Sequence, residues 1–439
     1  MVVQNNKGGT ICTTYYGGTI KYSGADNETK MNKDKHIPTG YKPSPLGNIP
    51  KEWEVKRLGE CTNLLTNGFV GVATPHYTED SDGITYIQGY NVAEGGFNLR
   101  GIKKVTKEFH KKNSKSSLLE GDLLTIQTGD IGLTTIVPKD LEGSNCHALI
   151  ISRFNNSIIP RFMLYYYNSS IGRERFRKIE TGTTMKHINT GDLINFLVPV
   201  PSIEEQKAIV DLLKLWDTAI AKQTALIENL SLRKRGLMQQ LLTGKKRLEE
   251  FCGEWKRVKA GEIFKSISVK GNGSEVLLSA TQEHGVIPRD QLEGRVTMPT
   301  GDTNSFKLVE VGDFVISLRS FQGGLEYSEH RGIVSPAYTV LKPIVEIDKS
   351  FYRYYFKSAE FIGHLAIAVI GIRDGKQISY DDFCFVKIPY PNIEEQKAIS
   401  TVFLRADKEI EIQKQKLAAL QEQKKGLMQV LLTGKRRIL

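Results

Sequence analysis

A small set of amide, hydroxyl and cationic side chains stands in glycine-bearing turns of this chain, where they can reach outward. In the first half they are Gln88 and Asn91 in Gln-Gly-Tyr-Asn, Gln127 and Thr128 in Gln-Thr-Gly-Asp, and Thr183 and Lys186 in the Gly/Thr stretch 181–186. In the second half they are Arg319, Ser320 and Gln322 in Arg-Ser-Phe-Gln-Gly-Gly, and Arg373 and Lys376 in Gly-Ile-Arg-Asp-Gly-Lys. The chemistry open to them is recognition by hydrogen bonding. A guanidinium pairs bidentately with guanine and a carboxamide with adenine, while a glycine turn lets the backbone approach closely. The basic run 103–115, KKVTKEFHKKNSK, is a candidate for phosphate contact.

Bond-making chemistry finds no such set. There is no GxxxxGK[ST] phosphate loop and no HExxH. The two Thr-Gly-Lys triplets, at Thr243 and Thr433, end helical patterns instead of opening them after a strand. Glu411-Ile-Gln-Lys414 resembles the tail of a nuclease motif but lies inside a helical stretch, on a solvated face. The histidines show no ligand spacing, so neither a metal nor a catalytic base is assigned. The five cysteines are scattered and odd in number, without CxxC, which fits a reduced, cytoplasmic protein. No apolar run approaches the length of a membrane span.

The net charge of +11 hints at nucleic acid. Its distribution tempers the hint. Segments 51–202 and 251–392 are nearly neutral, so any nucleic-acid contact there rests on local clusters and base edges.

The elements that must position these turns are set by a duplication. Residues 199–247 and 389–437 align without a gap at an offset of 190, with 24 identities in 49 positions. Each copy reads as one long helix. Prolines precede it, Ser202 or Asn392 stands ready to cap it, and Gly244 or Gly434 follows its last apolar turn. Ile209, Leu213, Trp216, Ile220, Gln223, Ile227, Leu230, Lys234, Leu237 and Leu241 step by fours and threes, and the second copy keeps that register from Ile399 to Leu431. The 3.5-residue period is that of a coiled coil. Parallel pairing would set Lys234 against Lys424, which favours the antiparallel arrangement.

The segments between the helices repeat more loosely. Glu52-Trp53 recurs as Glu254-Trp255, Gly121-Asp-Leu-Leu-Thr-Ile as Gly312-Asp-Phe-Val-Ile-Ser, and Phe162-Met-Leu-Tyr-Tyr-Tyr as Phe351-Tyr-Arg-Tyr-Tyr-Phe. Short strands are expected at 84–88, 123–127, 134–137 and 149–152, and helices at 161–168 and 172–179. Two like scaffolds bearing different loops point to two like tasks on different targets. The fold class is α+β: two globular α/β domains separated by two long helices paired as an antiparallel coiled coil, with an internal pseudo-two-fold repeat. The expected boundaries are a weakly structured leader at 1–36, a first domain at 37–201, a central helix at 202–250, a second domain at 251–391 and a C-terminal helix at 392–439.

With IEEQKAI and GLMQ-x-LLTGK-[KR]-R in both helices, and Ser44-Pro-Leu-Gly-Asn-Ile-Pro-x-x-Trp53 at the head of the first domain, the chain resembles the specificity subunit of type I restriction-modification systems. The resemblance covers residues 37–439. It implies that each globule is a target recognition domain reading half of a split, asymmetric DNA site, and that the helix pair is the spacer. It also implies partners: double-stranded DNA, two modification subunits that methylate adenine N6, and restriction subunits that translocate and cleave. S-adenosylmethionine, ATP and Mg would sit on those partners, with no cofactor in this chain. The absence of an Asn-Pro-Pro-aromatic motif agrees with a subunit that does no chemistry itself. The alternative is a stand-alone DNA-binding regulator dimerising through its helices.

Overall fold

The computed structural model describes residues 12–15, 18–21, 37–184, 186–292, 301–318, 320–369 and 378–438. The chain divides into two compact units, residues 1–213 with 425–439, and residues 214–424. Of the N-terminal stretch, a hairpin pairs Cys12–Tyr15 with Gly18–Lys21.

Unit 1 is built from β1 (Glu54–Arg57), β2 (Thr62–Asn67), β3 (Ile84–Ile87), β4 (Leu123–Ile126), β5 (Thr134–Ile136), β6 (Asn145–Cys146), β7 (Leu149–Phe154), α1 (Pro160–Asn168), α2 (Ser170–Lys178), β8 (Leu197–Val200) and the start of α3 (Ile203–Leu241). Its main sheet is antiparallel in the order β5-β4-β7-β2, with Leu124 opposite Ile151. Strand β4 is buried along its whole length because both faces of the sheet are covered there, Leu123 packing in one apolar cluster and Leu124 and Ile126 in another. Helix α1 puts Phe162, Met163, Tyr165, Tyr166 and Tyr167 into the core, so the tyrosine run is packing, as its helical neighbours predict.

Unit 2 repeats the plan. It comprises β9 (Lys256–Lys259), β10 (Phe264–Ile267), β11 (Leu278–Thr281), β12 (Phe314–Ile316), β13 (Glu326–Tyr327), β14 (Gly332–Val334), β15 (Thr339–Pro343), α4 (Lys349–Tyr355), α5 (Ala359–Val369), β16 (Lys387–Tyr390) and α6 (Ile393–Leu431). The sheet order β10-β15-β12-β13 is that of unit 1, strand for strand. The first and last strands of each repeat also pair, β1 with β8 and β9 with β16.

The cores cross the boundaries expected from sequence. Ile209, Val210 and Leu213 at the start of α3 and Met428, Leu431 and Leu432 at the end of α6 belong to the core of unit 1. Leu241 and Leu242, with Ile399 and Phe403, do the same in unit 2. An apolar helix end has nothing else to bury against, so each globule is completed by the start of one long helix and the end of the other.

The helix ends carry the caps that were expected. Ser202 Oγ accepts from Glu205 N at 3.2 Å and Asn392 Oδ1 from Glu395 N at 2.8 Å. Gly244 (φ 72°) and Gly434 (φ 69°) take the left-handed turn that stops each helix. The acidic partner of each cap does something else. Glu205 is buried, and its carboxylate accepts from the Trp53 indole at 2.9 Å and from Arg437. Glu395 is held in the same way by Trp255 at 3.0 Å and Arg247. The buried tryptophan needs an acceptor, and the buried carboxylate needs a cation, so each satisfies the other.

Within unit 2 the two helices run antiparallel. Gln223 donates to Gln413 Oε1 at 2.8 Å and to its carbonyl at 3.1 Å. Lys234 pairs with Asp407, and Lys424 with Asp217 at 2.6 Å. The offset of 190 carries one ion pair onto the other. The polar rungs of the heptad ladder are therefore where the pairing direction is written: head-to-tail opposition gives each lysine an aspartate.

Candidate nucleic-acid interface

In unit 1 the ends of several strands converge. Strand β4 ends at Ile126, opposite Leu149 at the start of β7. The chain turns over residues 127–130 and returns, with Gly132 N bonded to Ile126 O at 2.9 Å. Strands β3 and β6 run parallel and end together at Ile87 and Cys146. The link from β6 to β7, His147-Ala148, is tied on both sides. His147 N donates to Ile87 O at 2.8 Å and Ala148 N to Phe69 O at 3.0 Å. Ala148 has φ 47°, the only positive value at a non-glycine among the described residues. Such a backbone persists only where its surroundings hold it.

This arrangement gathers most of the residues expected to read DNA in the first domain. Thr128 bridges His187, which also bridges Thr181, and Gln127 O accepts from Ile188 N at 3.0 Å. The turn bearing Gln127 and Thr128 therefore lies against the loop bearing Thr183 and Lys186. Thr128, Thr183 and Lys186 are exposed and Gln127 is half-buried. Lys186 is paired with Glu180 at 3.2 Å. Gln88 follows β3, across the His147–Ala148 corner from Gln127, and its Nε2 donates to Tyr77 Oη at 3.2 Å.

Asn91 is a correction. It is fully buried, its Oδ1 accepts from Gln88 N at 3.0 Å, and its Nδ2 donates to Asn98 O at 2.9 Å. Its amide builds the turn that presents Gln88 and, being buried, cannot reach a base. The basic run 103–115 divides between a strand, Lys103–Val105, and a helix, Lys107–Lys112. Lys104 is bonded to the carbonyls of Asp80 and Ser81, and Lys107 is paired with Asp82 at 2.6 Å.

The sequence reading missed the centre of this face. His147 sits on the corner, its Nδ1 3.1 Å from Tyr86 Oη, and burial pulls its pKa down. The loop after β2 exposes Val70 at 66% and Val72 at 75% beside it. The available signal was Gly68-Phe-Val-Gly-Val, an apolar run broken by glycines too closely to be a strand.

Unit 2 places the equivalent turn after β12. Ser320 is also a correction. It is buried, and its Oγ accepts from Ser317 N at 2.8 Å, so its hydroxyl ties the start of the short helix Ser320–Gly323 back to the preceding turn instead of facing a ligand. Gln322 is exposed on that helix. Gly324 ends it where a Cβ would stand 1.7 Å from the Phe356 carbonyl oxygen, so no other residue fits. Arg319, Arg373 and Lys376 lie outside the described residues. The hairpin of β11 with Gly285–Pro288 brings Gln282 against Gly323, and Gln282 occupies the place after β11 that Gln88 holds after β3. Lys357 locks this junction, donating to the carbonyls of Gln282 at 3.3 Å and Gly323 at 3.0 Å and pairing with buried Glu326 at 2.7 Å. Burial raises the Glu326 carboxyl pKa, and Lys357 opposes that rise.

No described helix is long and apolar enough to cross a membrane, and no cluster of His, Cys, Asp or Glu among the described residues is arranged to hold a metal. What the geometry offers is a set of hydrogen-bonding side chains just beyond strand ends in each repeat, Gln127, Thr128, Thr183 and Lys186 in unit 1 and the amides of Gln282 and Gln322 in unit 2. The family model for the type I restriction modification DNA specificity domain matches twice, over residues 50–231 and 253–422. The chain belongs to that family. Each match covers one four-stranded sheet and most of the long helix that follows it. The MjaVIII specificity subunit of a type I restriction enzyme from Methanocaldococcus jannaschii is 26% identical over 420 residues, covering 89% of this chain and 94% of that one. The EcoBI specificity subunit from Escherichia coli is 28% identical over 212 residues, covering 47% and 44%. A solved structure concerning assembly and conformational transition of the type I restriction-modification system superposes with a TM-score of 0.58 at 19% identity, covering 88% and 99%. That likeness is one of fold.

Proposed function

We propose that this chain is the DNA-specificity subunit of a type I restriction-modification complex. The observation that carries the reading is the duplicated specificity domain: each match falls on one copy of the same sheet, with a face of hydrogen-bonding side chains at its strand ends. The chain supplies recognition, and the methyltransferase and restriction chemistry belongs to partner subunits. Each unit reads one half of a bipartite site. The partners are double-stranded DNA and modification subunits in two copies, with restriction subunits joining them; S-adenosylmethionine, ATP and Mg act on those partners.

The test is methylation-sensitive sequencing of the host genome with the native gene and with residues 253–386 exchanged for those of a relative. One half of the methylated motif is expected to change while the other half stays. A motif that changes in both halves, or in neither, would sink the reading. A second experiment inserts seven residues into each long helix, beside Gln223 and Gln413. The tolerated gap between the half-sites should lengthen, because seven residues preserve the heptad register.

A further inference from the structure

Unit 1 carries an apolar loop among the hydrogen-bonding turns at its strand ends. Strand β2 stops at Asn67, and Gly68-Phe-Val-Gly-Val-Ala73 follows. The start of this loop is bonded to the corner before β7. Gly68 N donates to Leu149 O at 2.8 Å and Phe69 N to Cys146 O at 2.9 Å, while Phe69 O accepts from Ala148 N at 3.0 Å. A Cβ at Gly68 would stand 2.6 Å from the Cys146 carbonyl oxygen, so the loop lies directly on that corner. Its apolar residues then divide. The Phe69 ring meets Phe109 edge-on at 4.8 Å, and Ala73 is buried in the same cluster with Tyr86 and Val105. Gly71 crosses over the Phe69 ring, where a Cβ would come within 2.9 Å of it. Between these anchors Val70 and Val72 are left exposed. Single exposed apolar side chains are ordinary. Here two β-branched ones, stiff about χ1, stand on a loop held at both ends.

The other repeat shows that the scaffold does not need them. Leu124 and Val315 hold the same place after the paired Gly-Asp turns. They face Ile151 and Val340, which in turn face Thr66 and Ile267. Counting on from there, Val70 and Val72 correspond to Gly271 and Gly273. That loop is tied by Asn304 instead, whose carbonyl accepts from Gly271 N at 2.9 Å and whose Oδ1 accepts from Gly273 N at 3.3 Å. Unit 2 thus has no side chain at either place, and its sheet forms all the same. The valines therefore serve something outside the fold. A partner that treats both repeats alike would call for them twice; a half-site with its own base sequence calls for them once. The sheet order puts Gln127, Ala148 and Gly68 at three adjacent strand ends on one side. At roughly 4.8 Å between strands, the loop starts about 10 Å from the turn bearing Gln127, or about three base-pair steps along a duplex. In the major groove, the one methyl group that unmodified bases present is that of thymine.

We propose that Val70 and Val72 are specificity-determining residues that read thymine, their methyl groups packing against thymine 5-methyl groups in the major groove of the half-site bound by unit 1. The anchored loop holds the two side chains at a fixed height beside the amides of Gln88 and Gln127, so apolar and hydrogen-bonding readout share one face. Unit 2, with Gly271 and Gly273 at these places, makes no such demand on its own half-site. The inference rests on the reading of the chain as a DNA-specificity subunit, and it adds the class of base that one unit selects.

The test uses the full chain assembled with the modification subunits of its own system. The half-site of unit 1 is the half of the methylated motif that stays when residues 253–386 are exchanged. Binding is titrated on duplexes in which each thymine of that half, on either strand, is replaced in turn by deoxyuridine, which lacks only the 5-methyl group. At least one replacement should weaken binding by about fourfold, the value of one buried carbon. Val70→Ser, Val72→Ser and the double variant alter exposed side chains, so the chain alone should melt as the parent does. The double variant should bind the thymine and deoxyuridine duplexes alike, and the single variants show which valine meets which base. A half-site without thymine, or a parent complex indifferent to every replacement, would overturn the proposal. So would a double variant that keeps the parent's preference for thymine, including one that loses modification subunits instead. A lowered melting temperature would also overturn it, since the valines would then serve the chain's own packing. A parent complex that binds its methylated motif no better than an unrelated duplex would break the functional reading itself, and the proposal with it.

Discussion

The two units close the same junction with different chemistry. At the end of α1 in unit 1, Asn168 bonds both backbone groups of Thr134, accepting from its N–H at 3.0 Å and donating to its carbonyl at 2.7 Å. In unit 2 the residue at that place, before the serine that caps the next helix, is Lys357, and strand β13 answers with Glu326. The paired Gly-Asp turns differ as well. Asp122 in unit 1 is gripped bidentately by Arg153 at 2.7 and 2.8 Å, whereas Asp313 in unit 2 has Lys342 only at 3.9 Å. Burial accordingly raises the Asp313 pKa. The backbone plan is thus indifferent to whether a junction is neutral or ionic, provided every buried group is answered. That freedom lets one scaffold carry unlike reading loops.

The largest expected effect tests the ionic junction. Lys357→Met leaves Glu326 buried without its cation and should destabilise the chain by about 3 kcal/mol, as seen when one partner of a buried pair is removed. Melts at two pH values add a sign. A carboxyl whose folded pKa is raised binds its proton more readily in the folded state, so its contribution to stability declines as pH rises through that pKa. The deficit of Lys357→Met should therefore shrink on acidification from pH 7 toward the ordinary carboxylate range. A deficit that is flat with pH would show that Glu326 is not the group responsible.

Next come the reading faces. Gln127→Ala and Gln322→Ala should each weaken specific DNA binding of the assembled complex by about 1–2 kcal/mol, within the range for a base contact, and relax one half-site only. Footprints on paired half-site mutants would check this. Asn91→Ala should instead lower the melting temperature, because Asn91 builds the turn.

The neutral junction should lose less stability than the ionic one. Asn168→Ala removes two hydrogen bonds to Thr134 and is expected to cost about 1–2 kcal/mol with no pH dependence. Equal losses at Asn168 and Lys357 in thermal melts would erase the contrast between the units.

Much of this fold was legible in the chain. The strand at 123–127, the helices at 161–168 and 172–179 and the caps at Ser202 and Asn392 all follow from local patterns that tertiary contacts did not override. The face proposed to read DNA was legible only in part. Gln127, Thr128, Thr183 and Lys186 could be named because glycine and polar residues mark turns. Whether a turn residue faces outward or builds the turn depends on what folds over it, and Asn91 and Ser320 fell on the building side. The His147–Ala148 corner left no trace, because its position is set by pairings to Phe69 and Ile87, far away in sequence.

The sequence by itself determined that there are two repeats and two long helices, because periodicity and self-similarity are local properties of the chain. It also determined which rungs of the ladder would be polar. Only the tertiary structure decided what those rungs do. Lys234 meets Asp407 and Lys424 meets Asp217, a choice made by burial and charge across two segments that lie far apart in the chain. It also decided that each globule takes its core from both helices, since an apolar helix end can be identified from sequence but its partner cannot.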